Sequence, residues 1–165
     1  LRFLFCLMFW CILLFMLLYS SEASDVYKIK KQYLEYLGLI PFILTFAFGN
    51  YIEKFLSIPA EKVFIFYSAI ILSFIAGTLW RKDTDKVSIQ MQVLSNLFSL
   101  LAFLTLFLPS YIALVALSKI YLLSLLCEYH FDHAAPENYN YLQMRMHLTA
   151  LVVTMHIIAF VIWCI

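Results

Sequence analysis

The residues best suited to chemistry gather late in the chain. His130, Asp132 and His133 stand in the segment HFDH, with Glu128 just before them and His147 further on. Imidazole and carboxylate donors of this kind suit zinc or iron. An H-x-x-H spacing alone is a weak signal, however, and this one falls where a helix gives way to a loop. These residues read as a solvated loop, and no metal site is expected. His147 and His156 lie nine positions apart on the last apolar run. At 100° per residue they point to opposite faces and do not share an ion. A haem held by one of them needs a second histidine deep in another run, and the sequence supplies none. No cofactor is expected.

Lys119 is the sharper clue, because it is the charge deepest inside an apolar run. An ionisable residue inside a span is costly and marks a functional position by default. Tyr121 and Ser124 fall on nearly the opposite face of its helix, so Lys119 has no polar stripe of its own. Its counterpart is expected outside the chain, in a partner subunit or a lipid, or in backbone or water. A second polar feature is the set Gln92, Ser95, Asn96 and Ser99, which spans about a third of a helix circumference. Such a stripe faces other helices rather than lipid, as interhelical hydrogen bonding or as the lining of a polar path. Serines and threonines are scattered, with no plausible base beside them in sequence. No phosphate loop, dinucleotide fingerprint or deep carboxylate pair is present. Cys6, Cys11, Cys127 and Cys164 form no C-x-x-C pair and read as reduced, buried thiols.

The elements that carry these residues are membrane helices. The chain has 165 residues, 65% of them hydrophobic, and a mean hydropathy of +0.93. A soluble domain is about half apolar. Three glycines and four prolines leave long runs unbroken, which favours helices over a barrel. A net charge of +1 gives no support to nucleic-acid binding. The central run, residues 63–80, holds eighteen residues without a charge and is ~27 Å long as a helix, close to a hydrocarbon core of ~30 Å. Ala69, Ser73, Ala76, Gly77 and Trp80 share one face of it, with Phe64, Ile71, Phe74 and Ile75 on the other. The small residues form a ladder that lets a second helix approach closely.

The full count is six spans in an all-α polytopic bundle, or five if the first is removed. Residues 1–20 are an N-terminal transmembrane helix or a signal-like segment; residues 36–165 form a five-helix membrane domain. Its runs lie near 36–52, 63–80, 87–108, 110–128 and 147–165, with 129–146 as the longest late loop. Lys28, Lys30, Lys31, Arg81, Lys82, Lys86 and Arg145 fall on one side, against Arg2, Lys54 and Lys62 on the other. That bias sets both termini outside the cytoplasm or matrix and favours a retained first helix.

Three separated motifs carry a resemblance. The stretch 36–42 reads YLGLIPF, residues 67–80 read YSAIILSFIAGTLW, and EYHFDH is followed by YLQMRMHLT. Together, over about residues 36–160, they resemble the transmembrane protein 69 family, small bacterial and mitochondrial membrane proteins built on a domain of unknown function. Gly38, Pro41 and Phe42 match the first motif. Ile71, Leu72, Ser73, Phe74, Gly77 and Trp80 match the second. Tyr129, Asp132, Tyr141, Arg145, Leu148 and Thr149 match the third. Ala76 stands where the family has glycine, Leu79 where it has histidine, and Glu128 and Asn140 also depart. The resemblance implies a five-span core and no catalytic mechanism. With the residues above, it points to a non-enzymatic subunit of a larger inner-membrane complex, respiratory or energy-transducing, in a mitochondrion or a bacterium. Its partners are membrane lipids and other membrane subunits, and not nucleic acid. The alternative is a small transporter using the Gln92–Ser99 stripe and Lys119.

Overall fold

A computed structural model of the chain describes residues 36–79, 89–132 and 139–164. The expected N-terminal helix, Trp80, the charged loop at 81–86 and His133 lie outside the described residues. So do the side chains of Asp132 and Tyr141. Among the described residues of the unit Gly38–Ile165, six helices follow one another: α1 (Ile40–Ala47), α2 (Gly49–Leu56), α3 (Ala60–Thr78), α4 (Ile89–Thr105), α5 (Ser110–Asp132) and α6 (Tyr139–Cys164). No strand occurs among the described residues.

The helix breaks sit where local chemistry requires them. Pro41 occupies the first turn of α1, where its missing N–H goes unused. Phe48, at φ −121°, ends α1 and opens α2. Gly49 follows because space is short: a Cβ there would stand 3.2 Å from the Cβ of Ala60. The run at 36–52, expected as one span, is therefore bent at Phe48–Gly49 into two helices of eight residues. Each is only ~12 Å long. α2 buries none of its residues and exposes Tyr51 and Phe55 beside Glu53 and Lys54. That pattern suits a helix lying along a membrane surface. Ser57, in the left-handed region at φ 55°, closes it. Glu53 Oε1 then accepts from the N–H of Ala60 at 3.0 Å and caps the first turn of α3.

α3 is the centre of the bundle, packed against α1, α2, α4 and α5. α4 ends in tightened i→i+3 turns at Leu106, Phe107 and Leu108. Ser110 Oγ donates to Glu61 at 2.8 Å, and Lys62 Nζ donates to the Leu108 carbonyl at 3.5 Å. These bonds tie the start of α3 to the α4–α5 turn. α5 and α6 pack side by side along their lengths.

Three stretches, Ala60–Thr78, Ser110–His130 and Leu142–Cys164, are long and apolar enough to cross a membrane. α4, with 17 residues, is shorter. The chain thus has the build of a membrane protein, but the expected six spans are not reached among the described residues. The late loop is also shorter than expected. α5 runs on to Asp132 and α6 begins at Tyr139, eight residues before His147. The cause is electrostatic. Arg145, which looks like loop in a hydropathy window, is neutralised by Glu128 across the two helices.

Candidate functional site

One stripe of α5 faces inward along its whole length: Leu114, Leu117, Tyr121, Ser124 and Glu128, all buried. Its spacing alternates between three and four residues, the period of a packed helical seam. The stripe is apolar at one end and polar at the other. α6 answers with Arg145, Thr149, Val152, His156 and Ala159, also buried. The helices run antiparallel, so Glu128 meets Arg145 and Tyr121 meets His156.

The innermost group joins three helices. Ser68 of α3 and His156 of α6 lie 2.8 Å apart, Oγ to Nε2. His156 Nδ1 stands 2.8 Å from the Val152 carbonyl, one turn back. A carbonyl only accepts, so Nδ1 carries the proton of the neutral ring, and Ser68 Oγ–H donates to Nε2. Tyr121 O–H donates to the Ser68 carbonyl at 2.9 Å. The rings of Phe42, Phe64 and Tyr121 enclose the imidazole, with Phe64 edge-on at 5.0 Å. Phe42 is itself braced by Tyr67, whose hydroxyl donates to the Gly38 carbonyl at 2.8 Å. Gly38, Pro41 and Phe42 thus lie on the segment that walls off the histidine. Ser68 is eight residues from the start of α3, which puts this group ~12 Å inside the bundle.

A serine hydroxyl on an imidazole is the first requirement of nucleophilic catalysis. No serine has a base beside it in sequence, but Ser68 has one in space. His156 is 88 positions away and arrives on another helix. Two further requirements are not met in this arrangement. The group orienting the histidine is a carbonyl rather than a carboxylate. Both reacting atoms are also sealed, with Ser68 at 0% and His156 at 2% exposure. The geometry acts as a polar clamp binding α3, α5 and α6. Interhelical bonds of this kind contribute about 0.6 kcal/mol each and up to ~2. Ser68→Ala is therefore expected to lower stability by about that much, read as a shifted thermal unfolding midpoint in detergent. An unchanged midpoint would argue that the bond adds nothing.

The second group lies nearer the helix ends. Arg145 Nε and Nη2 both donate to Glu128 Oε2, at 3.1 and 3.0 Å. The two side chains are 6% exposed. Arg145, expected as a loop charge, is an interior residue, and Glu128, weighed as a metal ligand, is its counter-ion. Between the groups, Ser124 Oγ is buried without a hydrogen-bond partner among the described residues. His130 and His147 are exposed. No three His, Cys, Asp or Glu side chains converge among the described residues.

The remaining candidates separate. Ser95 is buried and donates to the Ala76 carbonyl at 2.7 Å, joining α4 to α3. Gln92 and Ser99 are half-buried, and Asn96 is exposed. The stripe is thus divided between packing and surface. Of the small-residue face on α3, Ala69 and Ala76 are buried and Ser73, half-buried, donates to the Ala69 carbonyl. Gly77 is exposed, and a Cβ built there meets nothing within 4 Å. Among the described residues, no helix approaches at Gly77. Lys119 is exposed on α5. Tyr129 is exposed near the end of the same helix.

Apolar helices closed around a polar core define a helical membrane protein. The chain belongs to the family described as "Protein of unknown function (DUF3429)", whose model matches residues 27–161. Ser68, Tyr121, Glu128, Arg145 and His156 all fall inside that match. No curated protein and no solved structure matches the chain.

Proposed function

We propose that the protein is a non-enzymatic subunit of a larger membrane assembly, docked through the outer face of α5. One observation carries this reading. Lys119 stands exposed on that face amid Ile112, Val115, Leu122, Leu123 and Leu126, all exposed as well. It makes no hydrogen bond or ion pair with another described residue. Lys119 lies nine residues from Ser110 and eleven from His130, so ~14 Å of helix separates it from the nearer end. Its four-carbon stem does not cover that distance. A lysine at the centre of a lipid-facing helix costs about 2.5–3.5 kcal/mol on insertion scales. A partner helix presenting a carboxylate at the same depth removes that penalty and gains an ion pair.

The resemblance to the transmembrane protein 69 family extends the proposal to a mitochondrial or bacterial inner membrane and to an energy-transducing host complex. The six-span count belongs to the same proposal. The absence of catalysis is supported by the sealed Ser68–His156 pair. The transporter reading has less support. It needs Asn96 and Lys119 on a shared polar path, whereas Ser95 is bonded to Ala76 and Lys119 faces outward.

Extraction in a mild detergent is expected to recover a stoichiometric assembly larger than the 19.3 kDa chain. Lys119→Leu is expected to release the chain from it, and Lys119→Arg to retain it. A wild-type chain that emerges alone or as a homodimer refutes the proposal. Retention of Lys119→Leu would place the docking face elsewhere.

A further inference from the structure

We propose that the cavity between α1, α2 and the adjoining ends of α3 and α6 holds the ammonium end of a zwitterionic phospholipid headgroup. The cavity measures about 220 Å³ and is walled by Phe46, Asn50, Tyr51, Glu53, Ala60 and Trp163, among others. Ala60 is the first residue of α3, and Trp163 is the last but one of α6. The cavity therefore sits at one end of the bundle, where helices pass from hydrocarbon into the headgroup layer. Tyr51 and Trp163 are the residue types that occupy that layer. Drug-sized sites run to ~300–1,000 Å³. This one is smaller and suits a headgroup amine with its ethylene arm, not a whole lipid.

The wall chemistry selects a cation. Phe46 and Trp163 stack at 5.3 Å with 15° between their planes, and Tyr51 projects from α2. Ring faces attract ammonium groups. Among the described residues of the wall, Glu53 supplies the one charge, and it is negative. One of its oxygens already holds the Ala60 N–H, which fixes the carboxylate at the cavity edge. An anionic headgroup would meet that carboxylate with its own charge. A zwitterionic headgroup places its amine there, while Lys54, next in sequence on α2 and outside the wall, lies near its phosphate.

The site is tested with the full chain in vesicles of equal parts phosphatidylethanolamine and phosphatidylglycerol. The protein is extracted in mild detergent, and the lipid that stays bound is quantified by mass spectrometry. The wild type is expected to retain phosphatidylethanolamine over phosphatidylglycerol by about fivefold, the order that one cation–aromatic contact supplies. Glu53→Gln keeps an oxygen for the Ala60 N–H and removes the charge, so the ratio should fall to near one with the melting temperature unchanged. Tyr51→Ala, at an exposed position, should lower the ratio severalfold and decides the matter if Glu53→Gln folds poorly. A wild-type ratio near one overturns the site. So does a wild-type ratio in Glu53→Gln, or in Tyr51→Ala where that variant decides.

Discussion

Arg145→Leu is expected to destabilise the bundle by about 3–5 kcal/mol, the cost of breaking a buried ion pair from one side. The reason lies in what it leaves behind. Glu128 remains buried between α5 and α6, with its Oε2 stripped of both guanidinium hydrogen bonds. In a low-dielectric interior that carboxylate must take up a proton, drag in water or push the helices apart. Glu128→Leu should do similar harm by stranding the guanidinium. The double variant Glu128→Leu, Arg145→Leu should recover most of the loss, because two apolar side chains need no counter-charge and suit a helix interface. Unfolding of purified protein in mixed detergent micelles measures all three. A double variant that is no better than the singles would show that the pair does more than neutralise itself. It would point to other partners of Glu128 and Arg145 as the groups that matter.

The same pair explains where the sequence was legible and where it was not. Hydropathy depends on the average of a window, so the central helix at 63–80 and the apolar parts of α5 and α6 stood out. A window cannot see that Arg145 will be neutralised by Glu128 on the preceding helix. It scores Arg145 as loop and Glu128 as the end of a helix, and so it lost the last turn of α5 and the first two turns of α6. The Ser68–His156 bond was hidden for a related reason. Each residue looks isolated among apolar neighbours, and only the packing of α6 on α3 brings them together. The available signal was depth, since Ser68, Tyr121 and His156 each sit near the middle of an apolar run. The bend at Phe48–Gly49 was obscured by a run apolar enough to look continuous. Asn50 and Glu53 were the hint that it did not continue.

Gly77→Leu is expected to leave the isolated chain folded, whereas Ala76→Leu should disrupt it. Helical geometry makes this neighbouring pair decisive. At 100° per residue, the buried arc of α3 runs through Phe64, Ser68, Leu72 and Ala76 to Ala69. The face defined by the small residues is centred roughly 90° away from that arc. Sequence arithmetic tells which residues share a face, but not which face the neighbours cover. Large side chains settled it here: Phe64 is fully buried against Phe42, Phe46 and Trp163, and the small-residue face turned partly outward. Ala76 is fully buried, and its carbonyl receives the Ser95 hydroxyl from α4. Three added carbons there force α4 away, at about 1–3 kcal/mol for overpacking, and the Ser95 bond is lost as well. At Gly77, the last residue but one of α3, the new side chain meets no described residue within 4 Å, so the isolated chain loses no packing there. The thermal unfolding midpoint should therefore fall for purified Ala76→Leu and stay near the wild-type value for Gly77→Leu. Should Gly77→Leu keep its fold yet fail to enter the native assembly, the small-residue face would be a second docking surface, about a third of a turn from the Ser68 side of α3. A fall in stability of the isolated Gly77→Leu chain would instead restore the seam to the interior of the bundle.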